Sequence, residues 1–139
     1  MFLDLAQLSR GVGEHGDLAL SVLASVIGHN RRAGHLLLDA GALALSKDIS
    51  ANARWSDAGY GQLCDVKTMA PFEGIHVGQV SQEHGVVPIS DARDFDRFPV
   101  GGKVRIQPNH ACMTAAAYPA YNVVNDMIVV DEWDRVNGW

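Results

Sequence analysis

A histidine and a cysteine separated by one residue form the pattern in this sequence best suited to chemistry. They are His110 and Cys112, in the segment PNHAC at residues 108–112, which follows a predicted strand at residues 103–106. In an extended segment, side chains two residues apart point to the same side, so both could face one metal ion. Imidazole nitrogen and thiolate sulfur suit zinc best, and two protein ligands would leave positions open for substrate. The alternative is a buried thiol beside a hydrogen-bonded histidine.

Three further groups of polar side chains are candidates for catalysis or substrate binding. Glu83 and His84 lie in a predicted turn before Gly85, where a carboxylate and an imidazole can take part in proton transfer. Asp39 follows an apolar run, and Tyr60 lies between two glycines that predict a tight turn. The structural alternatives are a polar turn for Glu83 and His84, a helix cap for Asp39 and a packing role for Tyr60.

The chain has three lysines, and none of them is in a pattern expected of a cofactor Schiff base. Such a lysine needs a desolvated pocket or a cationic neighbour that lowers its pKa. Lys47 and Lys67 instead lie close to Asp48 and Asp65, and Lys103 opens a predicted strand after two glycines. We therefore expect no cofactor lysine in this chain.

Short strands are the elements expected to position these residues. Apolar or alternating runs predict strands at residues 18–27, 35–39, 59–66, 75–81, 103–106, 121–124 and 127–130. Asn125 and Asp126 predict a hairpin turn between the last two strands, and residues 40–47 predict a helical turn. With 14 glycines at the joints, the pattern predicts one mainly β domain over residues 1–139, a small barrel or sandwich with short helices. Residues 2–5 are apolar and also strand-like.

The composition of the chain limits which kinds of binding partner and which cellular compartment are expected. With 47% apolar and 19% charged residues, 139 residues suit one globular core. A formal net charge of -5 gives no basic surface for nucleic acid. No apolar run reaches the roughly 20 residues of a membrane span, and the N-terminus lacks the features of a signal peptide. We therefore expect no nucleic-acid or membrane partner, and a cytoplasmic protein with Cys64 and Cys112 reduced.

Several of these segments occur in an order that resembles the C-terminal domain of D-serine dehydratases and the related D-threonine aldolases. The motifs are Asp39-Ala40-Gly41 with Ala44-Leu45-Ser46 and Asp48, Gly59-Tyr60-Gly61, Gln82-Glu83-His84-Gly85, Arg105-Ile106-x-Pro108-Asn109-His110-x-Cys112, and Asn137-Gly138-Trp139. The opening residues 2–7 also resemble this family. The resemblance covers essentially the whole chain, and five motifs in register are more specific than any one of them.

The resemblance implies a fold-type III architecture like that of alanine racemase, in which a β-rich C-terminal domain completes the active site. An N-terminal (β/α)₈ barrel would carry the cofactor lysine and pyridoxal phosphate, and family members typically form homodimers. These 139 residues do not include that barrel, and residues 1–8 would be the crossover from it. An apolar patch should then be exposed where the barrel packs. The family's metal pair falls on His110 and Cys112. The aldolases usually have aspartate at the second position, so Cys112 favours a dehydratase with zinc.

The implied function is that of the metal-binding domain of a pyridoxal-phosphate-dependent lyase, not active alone. Its substrate would be a small D-amino acid with a 3-hydroxyl, which β-elimination converts to a keto acid and ammonia. Zinc would stabilise the departing hydroxide. Glu83, His84 or Asp39 would bind the other ring nitrogen of His110. The alternatives are a D-threonine aldolase or racemase-like domain, and a stand-alone metal-binding or dimerisation domain without catalysis.

Overall fold

The structure is a computed structural model that describes residues 2–136. Within this range the chain forms four short helices, α1 (Leu5–Leu8), α2 (Ala42–Leu45), α3 (Asp94–Arg97) and α4 (Ala111–Ala115). The strands are β1 (Val22–Asn30), β2 (His35–Leu38), β3 (Gly61–Cys64), β4 (Pro71–His76), β5 (Gln79–Val80), β6 (Gly85–Pro88), β7 (Lys103–Pro108), β8 (Ala120–Asn125) and β9 (Ile128–Asp134). The predicted mainly β class with short helices is confirmed. The motif Asn137-Gly138-Trp139 lies outside the described residues.

Seven of the strands form one antiparallel sheet, in the order β4-β3-β7-β1-β2-β6-β5. The two edge strands of the sheet, β4 and β5, do not pair with each other in the described part of the chain. The sheet is therefore not closed into a barrel. β1 joins the two halves of the sheet, because residues 22–25 pair with β7 and residues 26–30 pair with β2. An irregularity in register between Val26 and Gly28 marks this change of partner. Such irregularities bend a strand and increase its twist.

Alternation along the strands produces the main core. In β1, Val22, Ala24 and Val26 are buried while Leu23 and Ile27 are exposed, as expected of a strand with one face toward the interior. Neighbouring strands add further fully buried aliphatic side chains, namely Leu36, Leu38, Leu63, Val87 and Ile106. Complete burial of one such side chain stabilises the fold by about 1.5–3 kcal/mol.

The N-terminal segment contains the short helix α1. The prediction of a strand-like conformation for residues 2–5 was therefore wrong. Asp4 is the N-cap of α1, and its carboxylate accepts a hydrogen bond from the backbone N–H of Gln7 at 3.0 Å. An acceptor at this position satisfies a helix N–H that has no partner within the helix. The helix adds a second apolar cluster, which consists of Leu5, Leu8, Leu18, Ala51 and Ala58. This cluster ties the N-terminus to the 3₁₀ turn at Ser50–Ala53.

The strand predicted at residues 75–81 is divided into the end of β4 and the short β5. The backbone N–H of Val77 donates to Gly61 O, whereas that of Gly78 donates to Val86 O, each at 2.9 Å. The chain therefore changes its pairing partner from β3 to β6 at this point. A Cβ at Gly78 would lie 2.9 Å from Cγ of Pro88, so a side chain does not fit there.

β8 and β9 form the predicted hairpin, with its turn shifted by one residue. Asn125 pairs with Ile128, so the two loop residues are Asp126 and Met127, and Asp126 has a φ of 53°. A positive φ is the usual requirement of a two-residue hairpin loop. The hairpin exposes a set of large apolar side chains that we call the apolar hairpin surface: Val124, Met127, Ile128, Val129, Val130 and Trp133. No helix within residues 2–136 has the length and apolar character needed to span a membrane.

Candidate functional site

His110 and Cys112 lie at the junction between β7 and α4. His110 is the N-cap of α4, with an extended backbone at φ -137° and ψ 106°, and Cys112 is the second helical residue. The expectation that both residues belong to one extended segment was therefore wrong, because the helix begins at Ala111. The side chain of His110 makes no cap hydrogen bond to α4 and contacts Asp48 instead, so within residues 2–136 His110 and Cys112 are neighbours in the chain without a hydrogen bond between their side chains.

Asp48 holds the imidazole ring of His110. Its Oδ2 lies 2.9 Å from Nδ1 of His110, and both side chains are partly buried. Its Oδ1 accepts hydrogen bonds from the backbone N–H of Ser50, at 2.7 Å, and from the Ser50 hydroxyl. Burial raises the pKa of Asp48, but the hydrogen bonds from Ser50 and His110 outweigh burial and bring the pKa below its usual value. With Nδ1 occupied by the carboxylate, Nε2 is the ring nitrogen left for another ligand.

The partner of the His110 ring is thus Asp48, and not Glu83, His84 or Asp39 as predicted. Asp48 was present in the motif pattern, but nothing marked it as the partner. The D-x-S sequence at residues 48–50 is typical of a local turn in which an aspartate caps nearby N–H groups. The pair is separated by 62 positions in the chain, so no local pattern could have revealed it.

The other predicted site residues lie around the start of α2. Glu83 and His84 are exposed in the turn between β5 and β6, and Gly41 packs closely against this turn, where a Cβ would lie 2.4 Å from His84 N. Asp39 accepts a hydrogen bond from the backbone N–H of Ser25 at 2.6 Å. In the part of the chain that the structure describes, no hydrogen bond or ion pair joins these side chains to His110 or Cys112. Their contact with substrate stays a prediction.

Tyr60 lies in the turn before β3, packed against the main core. Its backbone N–H donates to Val77 O at 2.8 Å, and its ring is partly buried. The preceding Gly59 has a φ of 56°, and a Cβ there would lie 2.3 Å from Val77 O, so only glycine fits. These contacts support the packing role, and a catalytic role for Tyr60 stays a prediction.

Two buried side chains fix the junction that carries His110 and Cys112. Asn109 is fully buried; its Oδ1 accepts from Ala51 N at 2.8 Å, and its Nδ2 donates to Gly59 O at 2.9 Å. Asp4 is buried as well, and its Oδ2 accepts from Ala111 N, the first N–H of α4, at 2.9 Å. The sequence did not indicate these roles, which connect the junction to the N-terminal segment and to the turn next to Asp48.

The donor atoms at this junction, an imidazole nitrogen and a thiol sulfur, are of the kinds that zinc and similar divalent ions bind. Cys112 is exposed, whereas burial of Cys64 raises the pKa of its thiol to about 12. Because metals bind the thiolate, Cys112 is the better ligand of the two. Among residues 2–136 no group of three or more His, Cys, Asp and Glu side chains is arranged to hold a metal. His110 and Cys112 are therefore a candidate pair of ligands without a third such side chain among these residues.

Known proteins resemble this chain over almost its whole length. It is 41% identical to the D-threo-3-hydroxyaspartate dehydratase of Delftia sp., with 100% of this chain and 37% of that protein covered. It is 32% identical to the D-serine dehydratase of Saccharomyces cerevisiae, with 98% and 32% covered. The chain thus spans about a third of the length of these dehydratases. An uncharacterized protein of Mycobacterium tuberculosis is also 32% identical, and there the match covers 96% of this chain and 93% of that protein.

Solved structures also resemble this chain over most of its length. An alanine racemase-like protein from Idiomarina loihiensis has a TM-score of 0.91 at 43% identity, with 99% of this chain and 36% of that chain covered. The Delftia dehydratase has a TM-score of 0.91 at 40% identity, with 99% and 37% covered. A D-threonine aldolase from Filomicrobium marinum, with a TM-score of 0.61 at 24% identity and 82% and 27% covered, shares the fold alone. The family model described as "Putative serine dehydratase domain" matches residues 19–124. On this match and these relatives, the chain belongs to the serine dehydratase domain family and is a domain of the kind found in D-serine and D-threo-3-hydroxyaspartate dehydratases.

Proposed function

We propose that this chain is the metal-carrying C-terminal domain of a pyridoxal-phosphate-dependent lyase of the D-serine dehydratase type. The complete enzyme would convert a small D-3-hydroxy amino acid to a keto acid and ammonia. An N-terminal barrel domain would hold the cofactor and its lysine, with residues 1–8 as the crossover from it. The assembly would be a cytoplasmic homodimer, and the chain alone would be inactive.

The observation that carries this proposal is the His110 imidazole held by Asp48, two positions before the exposed Cys112 in the chain. Histidine ligands of metals almost always give their other nitrogen to a carboxylate, a carbonyl or water, which fixes the ring. The relatives add support. Two variants of a D-threo-3-hydroxyaspartate dehydratase have been solved, one with alanine in place of a histidine and the other with alanine in place of a cysteine two positions later. Those positions have the spacing of His110 and Cys112, and the cysteine variant is described as the metal-free form.

Each residue of the junction has a separate task in this proposal. Nε2 of His110 and Sγ of Cys112 would hold the ion, and Asp48 would keep the imidazole in one orientation and one tautomer. When bound, zinc supplies a Lewis acid that stabilises negative charge on the departing 3-hydroxyl oxygen. Pyridoxal phosphate, when bound by the N-terminal domain, supplies an electron sink for the α-carbon. Glu83, His84, Asp39 and Tyr60 are candidates for contact with substrate.

A cobalt titration of the isolated chain tests the metal site without any assay of activity. Cobalt gives charge-transfer absorption when a thiolate binds it, so the signal reports on a cysteine ligand directly. We expect saturation at about one ion per chain for the parent protein and for Cys64→Ala, and loss of the charge-transfer band in Cys112→Ser and His110→Ala. A band that survives in Cys112→Ser, or the absence of a band in the parent, would refute the assignment of this pair.

A second candidate function is a stand-alone metal-binding or dimerisation domain without catalysis. The observation in its favour is the mycobacterial relative, which this chain matches over 93% of that protein's length. The mass of the protein isolated from its natural source separates the two candidates. A mass near 15.0 kDa would support the stand-alone domain. A mass roughly three times larger, as in dehydratases of which this chain matches 37% or less, would support the lyase. The aldolase alternative has support at the level of fold only.

A further inference from the structure

A small cavity lies between α4, the N-terminal segment and the base of the β8–β9 hairpin. Its volume is about 210 Å³, and the described residues that line it are Phe2, Ala111, Cys112, Ala115, Tyr121 and Arg135. Pockets for drug-sized ligands are larger, at roughly 300–1,000 Å³, so this cavity suits a molecule of a few heavy atoms. Cys112, the proposed metal ligand, forms part of its wall.

Arg135 is held at the wall of this cavity by a backbone hydrogen bond and by a contact of its side chain with an aromatic ring. Its backbone N–H donates to Pro119 O at 3.0 Å. Its guanidinium carbon lies 5.2 Å from the centre of the Tyr121 ring, a distance typical of a cation above an aromatic face. The Tyr121 ring in turn packs edge-on against Phe2, with 5.2 Å between ring centres. The guanidinium group therefore lies against the Tyr121 ring, which Phe2 supports through an edge-to-face contact.

One nitrogen of this guanidinium group has no acceptor in the part of the chain that the structure describes. Nη1 of Arg135 is buried and has no hydrogen-bond partner among residues 2–136. Buried donors on charged groups are rarely left unpaired, because losing water without gaining an acceptor is costly. The other described residues of the lining carry no carboxylate, so an incoming anion would meet one cation and no acidic side chain.

The apolar wall indicates which anion fits. Phe2, Ala111 and Ala115 offer contact surface for carbon atoms but no polar side-chain group. A phosphate dianion needs several donors to replace its water, whereas a carboxylate matches the planar fork of one guanidinium group. We propose that this cavity binds the carboxylate of a small organic acid through Arg135, next to Cys112.

The identity of that acid as the substrate rests on the proposed function. If His110 and Cys112 hold a metal that binds the 3-hydroxyl, a carboxylate at Arg135 would belong to the same small molecule. The cavity would then favour a 3-hydroxy amino acid that carries a carboxylate on its side chain over one that does not. Carboxylate binding itself needs neither the metal nor the cofactor, so it can be measured on the isolated chain.

The test is a titration of the metal-free chain with malonate, followed by the arginine side-chain N–H signals in NMR spectra. We expect a saturable shift of the Arg135 signal, at least tenfold weaker binding of the neutral malonamide, and weaker binding of inorganic phosphate. Arg135→Gln should abolish malonate binding, and Arg135→Lys should weaken it by keeping the charge without the planar fork. The matched control is Arg93→Gln, since Arg93 is exposed and paired with Asp91, and this variant should bind malonate like the parent.

The proposal is overturned if Arg135→Gln folds and binds malonate as tightly as the parent, or if malonamide or phosphate binds equally well. Should Arg135→Gln not fold, Arg135→Lys decides, and unchanged affinity in that variant would overturn the proposal. Cys112→Ser separates this site from the metal site. We expect it to lose the cobalt signal and keep malonate binding, while Arg135→Gln keeps the cobalt signal. A failed metal site and a failed carboxylate site would therefore be recognised independently.

Discussion

At the scale of single residues, the contact between Asp48 and His110 determines what the imidazole can do. The carboxylate at 2.9 Å from Nδ1 selects the tautomer that carries a proton there, and Nε2 then has a free lone pair. The same carboxylate is held by Ser50 on its other oxygen, so its position does not depend on His110 alone. The imidazole is therefore oriented before any ligand arrives.

We expect Asp48→Asn to lower the affinity of the chain for zinc about 10–100-fold, because the amide no longer supplies the charge that orients and strengthens the histidine ligand. The measurement is a competition titration of zinc against cobalt. Asp57→Asn, at an exposed position, is the matched control and should leave the affinity unchanged. Equal affinity in Asp48→Asn and the parent would show that this carboxylate has no part in metal binding.

The two thiols should differ strongly in reactivity. Burial raises the pKa of Cys64 to about 12, so at neutral pH this thiol stays protonated and is a poor nucleophile. Cys112 is exposed on the first turn of α4. With an aromatic disulfide reagent we expect one thiol per native chain to react quickly and the second only after unfolding. The fast phase should disappear in Cys112→Ser. A fast phase that persisted in that variant would show that Cys64 is accessible to the reagent and not buried.

At the scale of elements, the junction between β7 and α4 depends on groups that are distant in sequence. Asn109 connects it to Ala51 and Gly59, and Asp4 caps the first N–H of α4. The alternating pattern of residues 103–106 predicted the strand that leads into the junction, but not the helix after it. A helix of five residues carries too little periodicity to be recognised, and its start is fixed here by a carboxylate from the other end of the chain.

Asn109→Ala should destabilise the fold by about 2–4 kcal/mol, because it leaves the N–H of Ala51 and the carbonyl of Gly59 without partners in a buried site. Urea unfolding followed by circular dichroism measures the change. The matched control is Asn122→Ala, an exposed amide on β8, for which we expect less than about 0.5 kcal/mol. Similar losses in the two variants would contradict the role of Asn109 in the junction.

At the scale of the whole molecule, the apolar hairpin surface is the feature that a single copy of the chain leaves unexplained. Ile128 and Val130, which share one face of β9, are each more than half exposed, and so is Val129 on the opposite face. Soluble monomers rarely expose contiguous apolar patches of this kind. Under the proposed function, an N-terminal domain or a second copy of the chain would cover this surface.

The double substitution Ile128→Thr/Val130→Thr should reduce self-association of the isolated chain, since both side chains point to the same face of β9 and lose apolar surface. Sedimentation velocity measures the association. The free energy of unfolding should change by less than about 0.5 kcal/mol per site, because the side chains are exposed and threonine also favours strands. The matched control is Val12→Thr/Val100→Thr, at exposed positions away from the hairpin. Equal association in both variants would assign contact between copies to another surface.

The sequence by itself determined the mainly β class, the approximate position of most strands, and the family. Strand alternation is a local consequence of which face of a strand is buried, so it can be recognised in sequences such as residues 22–26. The sequence also indicated His110 and Cys112 as the residues whose chemistry best suits a metal site. Only the tertiary structure placed Asp48 on the His110 ring, Asp4 on the first N–H of α4, and Arg135 beside Cys112. The first two pairs are 62 and 107 positions apart, and their formation depends on how the sheet brings the ends of the chain together. No local pattern in the sequence encodes that arrangement, because these hydrogen bonds join segments that are distant in the chain and meet only through tertiary packing.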